Sequence, residues 1–506
     1  MDTFLEARNI SKRFQAVQAL LNVSVVVQTG EIHGLVGENG AGKSTLGKIF
    51  SGIVRPDSGE LIVKGRAVNY AVPRDALLDG ITTISQEIAL LSKQTVLDNV
   101  LLGQESAIAG VLNRRAMLEE FERLRQLTGF QLDPSARVGG LRMADQKKVE
   151  VMRAVARNAQ LIIMDEPTAM LSDDETSVFL GMVRQLQQMG HTIIYVSHFL
   201  KEVLELVDTV TVMRNGQVVR TRRAAEETPE QLVTAMLGKS MAQMYPIKTP
   251  PPTDAPNMFE VENLRTDVFE NINLHLRAGE IVGLAGLVGS GRSRLARSLF
   301  GVEPILGGTI RVAGKPVQLR STADAIRAGI YMLPENRKEQ GLLLKQSIRS
   351  NMTLPHLGHL TSALGTIRGR NELDKVRLIG TAVSIQPLIP GIRVSKLSGG
   401  NQQKALFGKW LFERPTVFII DEPTRGIDVG AKQAIYELIA DLARQGLAIL
   451  LVSSEIEEIL GLSHRVLVMR LGQIVAEFQD ENDAMNERAI MRAAFGTENP
   501  AEQTSR

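Results

Sequence analysis

Residues 37–45 of the chain read Gly37-Glu38-Asn39-Gly40-Ala41-Gly42-Lys43-Ser44-Thr45. The first eight positions fit the phosphate-binding loop pattern G-x-x-x-x-G-K-[ST] without a mismatch. Before them, Ile32 to Val36 form a short apolar run that is typical of a buried strand, and the residues after them can open a helix. Glycines let successive backbone N–H groups face the phosphates of a nucleotide, and the helix N-terminus adds positive potential. These residues therefore predict a nucleotide site, in which Lys43 reaches the β- and γ-phosphates and the Ser44 hydroxyl binds Mg²⁺.

The composition is that of an ordinary protein with several domains. A length of 506 residues predicts two to four domains, and 44% hydrophobic with 23% charged residues suffices for sizeable cores. The formal net charge of +2 offers no electrostatic argument for a nucleic-acid partner. The absence of cysteine excludes disulfides and thiolate chemistry. Because the chain shows neither a signal-peptide pattern nor an uncharged apolar run of about 18 residues, we expect a soluble protein that reaches a membrane only through a partner.

The chain contains an internal repeat. The string GEIHGLVG at 30–37 recurs as GEIVGLAG at 279–286, and Asp-Glu-Pro-Thr at 165–168 recurs at 421–424. The offsets are 249 and 256, so the matches are collinear and predict two copies of one domain. Residues 241–257 are rich in proline, which predicts an extended, semi-rigid linker. We therefore predict domains at 1–240 and 258–495, a linker at 241–257 and a polar, disordered tail at 496–506.

Each copy is predicted to have an α/β fold with a mainly parallel sheet. Residues 161–164 and 192–196 of the first copy are short apolar runs of the kind found in buried parallel strands, and helical patterns lie between them. The residues before Thr29 are rich in strand formers. The region from 88 to 160 differs, because it contains apolar residues at helical spacing that predict an amphipathic helical insert. These residues are Met117, Phe121, Leu124 and Thr128.

Two carboxylates follow the apolar run at 161–164. Asp165 would help to hold Mg²⁺, and Glu166 could orient and polarise an attacking water. Two like charges at the end of a buried strand are costly unless a cation lies opposite them. His198 follows the predicted strand at 192–196 and is placed to bind the γ-phosphate, with a structural role as the alternative. Gln86 is a weaker candidate on its own, since a single glutamine is usually a surface residue.

The second copy carries Leu397-Ser398-Gly399-Gly400-Asn401-Gln402-Gln403-Lys404, shortly before Asp421. This string resembles the signature motif of ATP-binding-cassette ATPases. Together with Asp-Glu-Pro-Thr-Arg-Gly-Ile-Asp at 421–428, it makes both halves similar to the tandem ATPase subunits of bacterial sugar importers. That group includes the ribose, xylose, galactoside and autoinducer-2 importers, and the resemblance covers residues 3–495.

The resemblance implies two tandem cassettes, each with a P-loop core, an antiparallel β subdomain and a helical subdomain. The cassettes would pair head to tail, so that each ATP with its Mg²⁺ lies between the phosphate loop of one and the signature of the other. It further implies two transmembrane permease subunits and a periplasmic sugar-binding protein as partners. The chain would then lie at the cytoplasmic face of the bacterial inner membrane, with the segment 87–102 docking a permease helix.

The resemblance also assigns roles to single residues. Lys43, Gln86, Glu166 and His198 would be catalytic, and Gln86 would join Ser44 and Asp165 around Mg²⁺. Phe14 would stack on the adenine, with a core phenylalanine as the alternative. The signature would offer a hydroxyl, bare backbone amides and a helix N-terminus to the γ-phosphate. The signature residues assigned to the nucleotide are Ser398, Gly399, Gly400 and Gln402.

The two copies differ at these positions. The second loop is Gly286-Leu287-Val288-Gly289-Ser290-Gly291-Arg292-Ser293. Arg292 replaces Lys43, Glu335 replaces Gln86, Ser454 replaces His198, and Arg142-Met143-Ala144 replaces Ser398-Gly399-Gly400. With head-to-tail pairing, all these changes fall in one site, which predicts one hydrolytic site and one degenerate site. Arg142 and Arg292 could instead bind phosphate oxygens and hold a nucleotide there, and the sequence leaves this open.

Two other functions compete with transport. A tandem cassette protein that acts on ribosomes or nucleic acid would need two intact sites, a long charged connector and a basic face. A scaffold that binds ATP without hydrolysis is opposed by the intact Lys43, Glu166 and Ser398. The sequence does not name the sugar, since selectivity in such systems lies in the binding protein and the permease.

Overall fold

The computed structural model describes most of the chain, namely residues 2–15, 17–85, 88–108, 110–168, 171, 173–197, 199–238, 241–287, 289–361, 367, 369–427, 429–479 and 485–496. The chain divides into two compact units, Met1–Met241 and Ala242–Arg506. Of the linker predicted at 241–257, residues 242–257 therefore belong to the second unit. The predicted tail at 496–506 lies, except for Gly496, outside the described residues.

The first unit alternates strands and helices. Its strands are β1 (Thr3–Phe14), β2 (Val17–Gln28), β3 (Ile32–Gly37), β4 (Ser58–Val63), β5 (Arg66–Val68), β6 (Ile81–Ile84), β7 (Ala107–Ile108), β8 (Val111–Leu112), β9 (Leu161–Asp165), β10 (Thr192–Val196), β11 (Thr209–Arg214) and β12 (Gln217–Arg223). Its α-helices are α1 (Lys43–Phe50), α2 (Pro73–Leu78), α3 (Val96–Val100), α4 (Arg114–Thr128), α5 (Met143–Ala156), α6 (Asp173–Gln188), α7 (Leu200–Leu206) and α8 (Pro229–Leu237).

Two sheets form the framework of this unit. The first is antiparallel, in the order β2-β1-β4-β5, and the second has the order β12-β11-β3-β10-β9-β6 with only its edge strand β12 antiparallel. In the second sheet, Val196 at the end of β10 lies between Leu35 of β3 and Asp165 of β9. Parallel strands end at the same edge, so the loop after β3 and the carboxylates after β9 meet there.

The helical region between β6 and β9 confirms one sequence prediction in detail. The helix α4 begins after Asn113, whose side chain accepts a hydrogen bond from the Ala116 N–H at 3.2 Å, and it ends at Gly129 with φ +71°. Its buried face consists of the four residues predicted from spacing, Met117, Phe121, Leu124 and Thr128. The short hairpin of β7 and β8 before it does not follow from the sequence, because two-residue strands carry no readable alternation.

The second unit repeats the plan. Its strands are β13 (Asn257–Arg265), β14 (Ile272–Arg277), β15 (Ile281–Gly286), β16 (Gly307–Val312), β17 (Lys315–Val317), β18 (Ile330–Leu333), β19 (Val417–Asp421), β20 (Ala448–Val452), β21 (Arg465–Arg470) and β22 (Gln473–Gln479). Its α-helices are α9 (Arg292–Leu299), α10 (Thr322–Arg327), α11 (Ile348–Thr353), α12 (Leu357–Leu360), α13 (Gly369–Ala382), α14 (Gly399–Trp410), α15 (Val429–Arg444), α16 (Ile456–Leu462) and α17 (Glu487–Phe495).

The strand orders show the repeat directly. The antiparallel sheet has the order β14-β13-β16-β17, and the larger sheet has the order β18-β19-β20-β15-β21-β22 with β22 antiparallel at its edge. These are the orders of the first unit, strand for strand. The prediction of two tandem α/β domains with antiparallel and helical subdomains is thus confirmed. Among the described helices, none is both long enough and apolar enough to cross a bilayer.

Candidate functional site

The phosphate loop connects β3 to α1 in the first unit. Gly42 has φ +100°, and a Cβ atom there would lie 2.6 Å from the carbonyl oxygen of Ala19, so this position requires glycine. The side chain of Lys43 is buried, with only 5% of the residue exposed. Its Nζ donates to the carbonyl oxygens of Gly37 at 2.7 Å and Glu38 at 3.0 Å. The ammonium group therefore lies across the loop, next to the N-terminus of α1.

The Ser44 hydroxyl lies beside the carboxylates at the end of β9. Its Oγ donates to Asp165 Oδ1 at 3.1 Å. Burial raises the pKa of Asp165 above its ordinary value, the Ser44 hydrogen bond opposes this, and the charge of Glu166 adds to it. A buried carboxylate with a raised pKa is stabilised by a cation, and a hydroxyl with a carboxylate is the kind of ligand pair that Mg²⁺ uses beside phosphates.

Glu166 lies on a strained turn of the backbone. Its φ is +47°, in the left-handed region that side chains rarely adopt, and its N–H donates to the Val196 carbonyl at 2.9 Å. Glu422 has φ +49° and the same bond to Val452, at 2.8 Å. Such a conformation costs on the order of 1–3 kcal/mol and persists only where the surrounding structure imposes it. Its presence in both copies shows that the fold imposes this backbone conformation on the glutamate that follows the strand.

The remaining predicted residues of the first unit have different outcomes. Phe14 ends β1 and is 45% exposed, so the alternative that it is a core residue is wrong, while its stacking on adenine stays a prediction. Thr45 follows Ser44 in α1 and is partly exposed. Gln86 and His198 lie outside the described residues.

The signature string opens α14 in the second unit. The Ser398 hydroxyl caps this helix and accepts a hydrogen bond from Asn401 Nδ2 at 3.1 Å. A Cβ at Gly400 would lie 2.9 Å from that of Ala431, and one at Gly399 would lie 2.9 Å from Arg337 Nη2. Close packing within this unit therefore requires glycine at position 400, whereas at position 399 the flexible Arg337 side chain could move aside.

Gln402 has a structural role that sequence reasoning missed. Its side chain is buried, and its Nε2 donates to the carbonyls of Leu397 at 3.1 Å and Val394 at 3.3 Å. Gln146 occupies the same position of the first copy and donates to Leu141 O at 3.0 Å. The side chain holds the turn before the helix in both units, and its assignment to a nucleotide stays a prediction.

The second phosphate loop has the backbone conformation of the first, but an arginine replaces the lysine. The φ angles of Gly289 and Gly291 are +83° and +103°, and Ser293 donates to Asp421 at 3.1 Å. Arg292 is buried, and its Nη1 donates to the carbonyl oxygen of Ser453. Its charge lies close enough to Asp421 and Glu422 to lower the pKa of each. Burial nevertheless raises the pKa of Asp421 to about 6 and that of Glu422 to about 7.

A family model described as "ABC transporter" matches residues 20–169 and 269–425. The chain belongs to the ABC transporter family. The ribose import ATP-binding protein RbsA of Geobacillus kaustophilus is 41% identical over 97% of this chain and 99% of that protein. The putative ribose/galactose/methyl galactoside import ATP-binding protein 1 of Agrobacterium fabrum is 40% identical over 97% of each chain. The RbsA of Yersinia pestis bv. Antiqua is 41% identical over 97% of this chain and 96% of that protein.

In the first cassette of this ABC protein, α5 holds both sides of the segment that contains Gln86. Lys147 Nζ donates to the Ser85 carbonyl at 3.2 Å and to Glu150 Oε2 at 3.0 Å. Glu150 Oε1 accepts from the Ala89 N–H at 3.1 Å, and Arg153 donates to the Ala89 carbonyl at 2.9 Å. Lys147 and Glu150 are both buried. Their spacing on α5 was the available sequence signal, but it is also the spacing of an ordinary exposed ion pair.

The second cassette keeps only part of this arrangement. Gln403 and Leu406 stand where the first cassette has Lys147 and Glu150, while Lys409 replaces Arg153 and donates to the Gly341 carbonyl at 2.9 Å. A buried asparagine is common to both cassettes. Asn99 accepts from the Leu91 N–H at 2.8 Å, and Asn351 accepts from the Leu343 N–H at 2.7 Å. The repeat itself was the signal that could have identified this asparagine.

Proposed function

We propose that this chain is the ATP-hydrolysing subunit of a bacterial importer for a monosaccharide or a related sugar-like solute. The observation that carries the proposal is its near full-length similarity to proteins named as ribose or galactoside import ATP-binding proteins. The proposed partners are two transmembrane permease subunits and a periplasmic sugar-binding protein. The proposed location is the cytoplasmic face of the inner membrane, where the permease would be the only attachment.

The first cassette has the groups that ATP hydrolysis needs. Lys43 would bind the β- and γ-phosphates from its place across the loop. When bound, Mg²⁺ would neutralise charge on the phosphates, and Ser44 with Asp165 would hold it, joined by Gln86. Glu166 would orient the attacking water, and His198 would donate to the γ-phosphate. Phe14, exposed at the end of β1, would stack on the adenine.

We further propose that only one composite site hydrolyses ATP. The first phosphate loop would be completed by Ser398, Gly399 and Gly400 of the second cassette, where the hydroxyl already caps a helix N-terminus. The other site would combine the Arg292 loop with α5, whose N-cap residue Arg142 makes no side-chain cap bond. Arg292 donates to the Ser453 carbonyl, whereas Lys43 donates to carbonyls of its own loop, and this difference supports a different role for Arg292.

Paired substitutions test this asymmetry. Glu166→Gln should lower the rate of phosphate release from ATP by about 100-fold or more, since it removes the group that orients the water. Glu422→Gln, its counterpart in the other cassette, should keep most of the activity. Lys43→Ala should abolish hydrolysis together with nucleotide binding, whereas Glu166→Gln should still bind ATP. Comparable losses from the two glutamate changes would show that both sites turn over.

A role on ribosomes or nucleic acid is not favoured. The relatives that span this chain are named as import proteins, and the net charge of +2 supplies no basic face by composition.

A further inference from the structure

The segment that follows the first unit is seated in a slot on the second unit. Met244 is buried, and the ring of Tyr245 stacks on that of Tyr436 with centroids 4.9 Å apart and planes at 21°. Tyr436 belongs to α15 and is 1% exposed. A Cβ atom at Gly461, on α16, would overlap the ring of Tyr245. Only a glycine at position 461 therefore leaves room for the tyrosine ring.

The contact continues along the segment. Residues 246–249 share the lining of a pocket with Ala440 and Ala443 of α15 and with Leu462 of α16. At the end of the segment, the Pro256 carbonyl accepts a hydrogen bond from the Ala278 N–H at 2.9 Å. The proline-rich residues therefore follow the surface of the second unit instead of forming a free tether.

The equivalent positions of the first unit carry different residues. Leu180 of α6 occupies the position of Tyr436, and Glu205 of α7 occupies the position of Gly461. The tyrosine, its stacking partner and the glycine thus occur together where the chain enters the second unit and not at the matching place in the first. Met241 is the last residue of the first unit, so Tyr245 lies within the first few residues of the second.

The two helices that hold Tyr245 also support the signature. Ala431 of α15 packs so closely against Gly400 that a methyl group on that glycine would lie 2.9 Å from the alanine Cβ. Glu458 of α16 accepts a hydrogen bond from the Thr424 hydroxyl at 2.9 Å. Thr424 precedes Gly426, whose carbonyl accepts from Arg337 at 3.0 Å and would lie 3.3 Å from a Cβ at Gly399. Gly400 therefore packs directly against α15, and Gly399 lies beside the loop at Gly426, which Thr424 connects to α16.

We propose that Tyr245 is a positioning residue for the ATP site that Ser398, Gly399 and Gly400 complete. The proposal rests on the proposed function, because it assumes that this signature meets the first phosphate loop. The ring fixes α15 and α16 against each other, and these helices set the position of the signature glycines. Tyr245 does not itself touch the nucleotide in this proposal. Its loss should lower kcat but leave the KM for ATP nearly unchanged, since Lys43 and Phe14 lie in the first unit.

The test compares three variants of the full chain by steady-state ATP hydrolysis. Tyr245→Ala should lower kcat by about tenfold, with the KM for ATP within about twofold of the original value. Tyr245→Phe keeps the stacked ring and should restore kcat. Gly461→Ala should reproduce the loss although Tyr245 is still present, because its methyl group occupies the slot. Val261→Ala, which truncates a buried residue of β13 in the same unit, is the control for lost stability and should keep kcat at a temperature below its Tm.

Three results would overturn the proposal. The first is an unchanged kcat in Tyr245→Ala, and the second is an equal loss of kcat in Val261→Ala. The third is a raised KM with an unchanged kcat. If the original chain hydrolyses no ATP, the proposed function fails with it. If the original chain is active and Tyr245→Ala is equally active, only the positioning role fails.

Discussion

Lys43 and Arg292 occupy the same position in two loops whose glycines have the same backbone angles. The Lys43 ammonium turns back to the carbonyls of Gly37 and Glu38, inside the loop. The Arg292 guanidinium donates to Ser453 instead and lies near the carboxylates of Asp421 and Glu422. The guanidinium of arginine is planar and lies on a longer side chain, so its N–H groups can find acceptors outside the loop. The compact ammonium of Lys43 bonds to acceptors within the loop instead. The change from lysine to arginine thus gives the side chain different hydrogen-bond partners, while the loop backbone keeps the same conformation.

A buried carboxylate in the second unit predicts a pH dependence of stability. Glu458 is 1% exposed, and burial raises its pKa to about 7 from 4.5, with the charge of Glu455 adding to the effect. Between about pH 4.5 and 7 the folded state keeps a proton that the unfolded chain has lost. The free energy of unfolding should therefore fall as the pH rises, by about 1.4 kcal/mol per pH unit from this group. The stabilisation is fully present below pH 4.5 and is lost above pH 7.

Glu458→Gln should remove this contribution to the pH dependence of the free energy of unfolding. In urea denaturation, the variant should gain stability relative to the original chain as the pH rises from 5 to 8, and the two should differ least at the acidic end. Glu457→Gln changes the exposed neighbour on the same helix and serves as the control. Parallel curves for Glu458→Gln and the original chain across this pH range would contradict the prediction.

At the scale of elements, the first cassette ties a helix to a loop through a buried ion pair. Lys147 and Glu150 connect α5 to both sides of the segment that contains Gln86. A buried pair contributes little net stability, but removal of one partner leaves an uncompensated charge. The second cassette avoids that cost with Gln403 and Leu406. The two cassettes thus place different residues at equivalent positions of this helix, a charged pair in the first and an uncharged pair in the second.

The second cassette supplies the substitutions that test this account. Lys147→Gln alone should lower the free energy of unfolding by up to about 3–5 kcal/mol, because Glu150 stays buried and keeps only the more distant Arg153 Nη2, at 3.9 Å, as a cationic partner. Lys147→Gln combined with Glu150→Leu should recover most of that loss. Lys148→Gln breaks a partly exposed pair with Asp145 at 2.7 Å and should cost less than about 1 kcal/mol. Urea denaturation of the three variants tests this, and a double variant no more stable than Lys147→Gln alone would contradict the prediction.

At the scale of the whole molecule, the two cassettes have separate hydrophobic cores. One core contains residues of the antiparallel and parallel sheets of the first unit, such as Leu5 and Ile194, and the other contains their counterparts in the second, such as Phe259 and Leu450. Units with their own cores can unfold independently, and a ligand stabilises most the unit that supplies most of its binding contacts. From the composition of the two loops, we expect the first to bind nucleotide more tightly.

In calorimetry, we expect MgATP to raise the midpoint temperature of one unfolding transition more than that of the other. At a free ligand concentration of 100 times Kd, the first unit should gain about 2.7 kcal/mol. Lys43→Ala should abolish the shift, whereas Arg292→Ala should leave it in place. The opposite result would be equal shifts of both transitions, one lost in Lys43→Ala and the other lost in Arg292→Ala. It would mean that the second loop also holds nucleotide.

Local patterns in the sequence predicted the parts of this protein that depend on spacing along the chain. The phosphate loop, the strand ending at Asp165, the repeat and the buried face of α4 each follow from a motif or a periodicity, because neighbours in sequence are neighbours in these elements. The exposure of Phe14 required the structure, since an aromatic residue at the end of a strand fits a core as well as a surface.

The tertiary structure alone decided the contacts between residues that lie far apart in the chain. Arg292 and Ser453, Lys147 and Ser85, and Tyr245 and Tyr436 are brought together by the packing of helices on sheets, which no local pattern encodes. The strained backbone at Glu166 also has a partner distant in the sequence, because its N–H donates to the Val196 carbonyl of β10. The sequence specified which chemical groups are present and how they are spaced along the chain. Long-range packing determined which groups they contact.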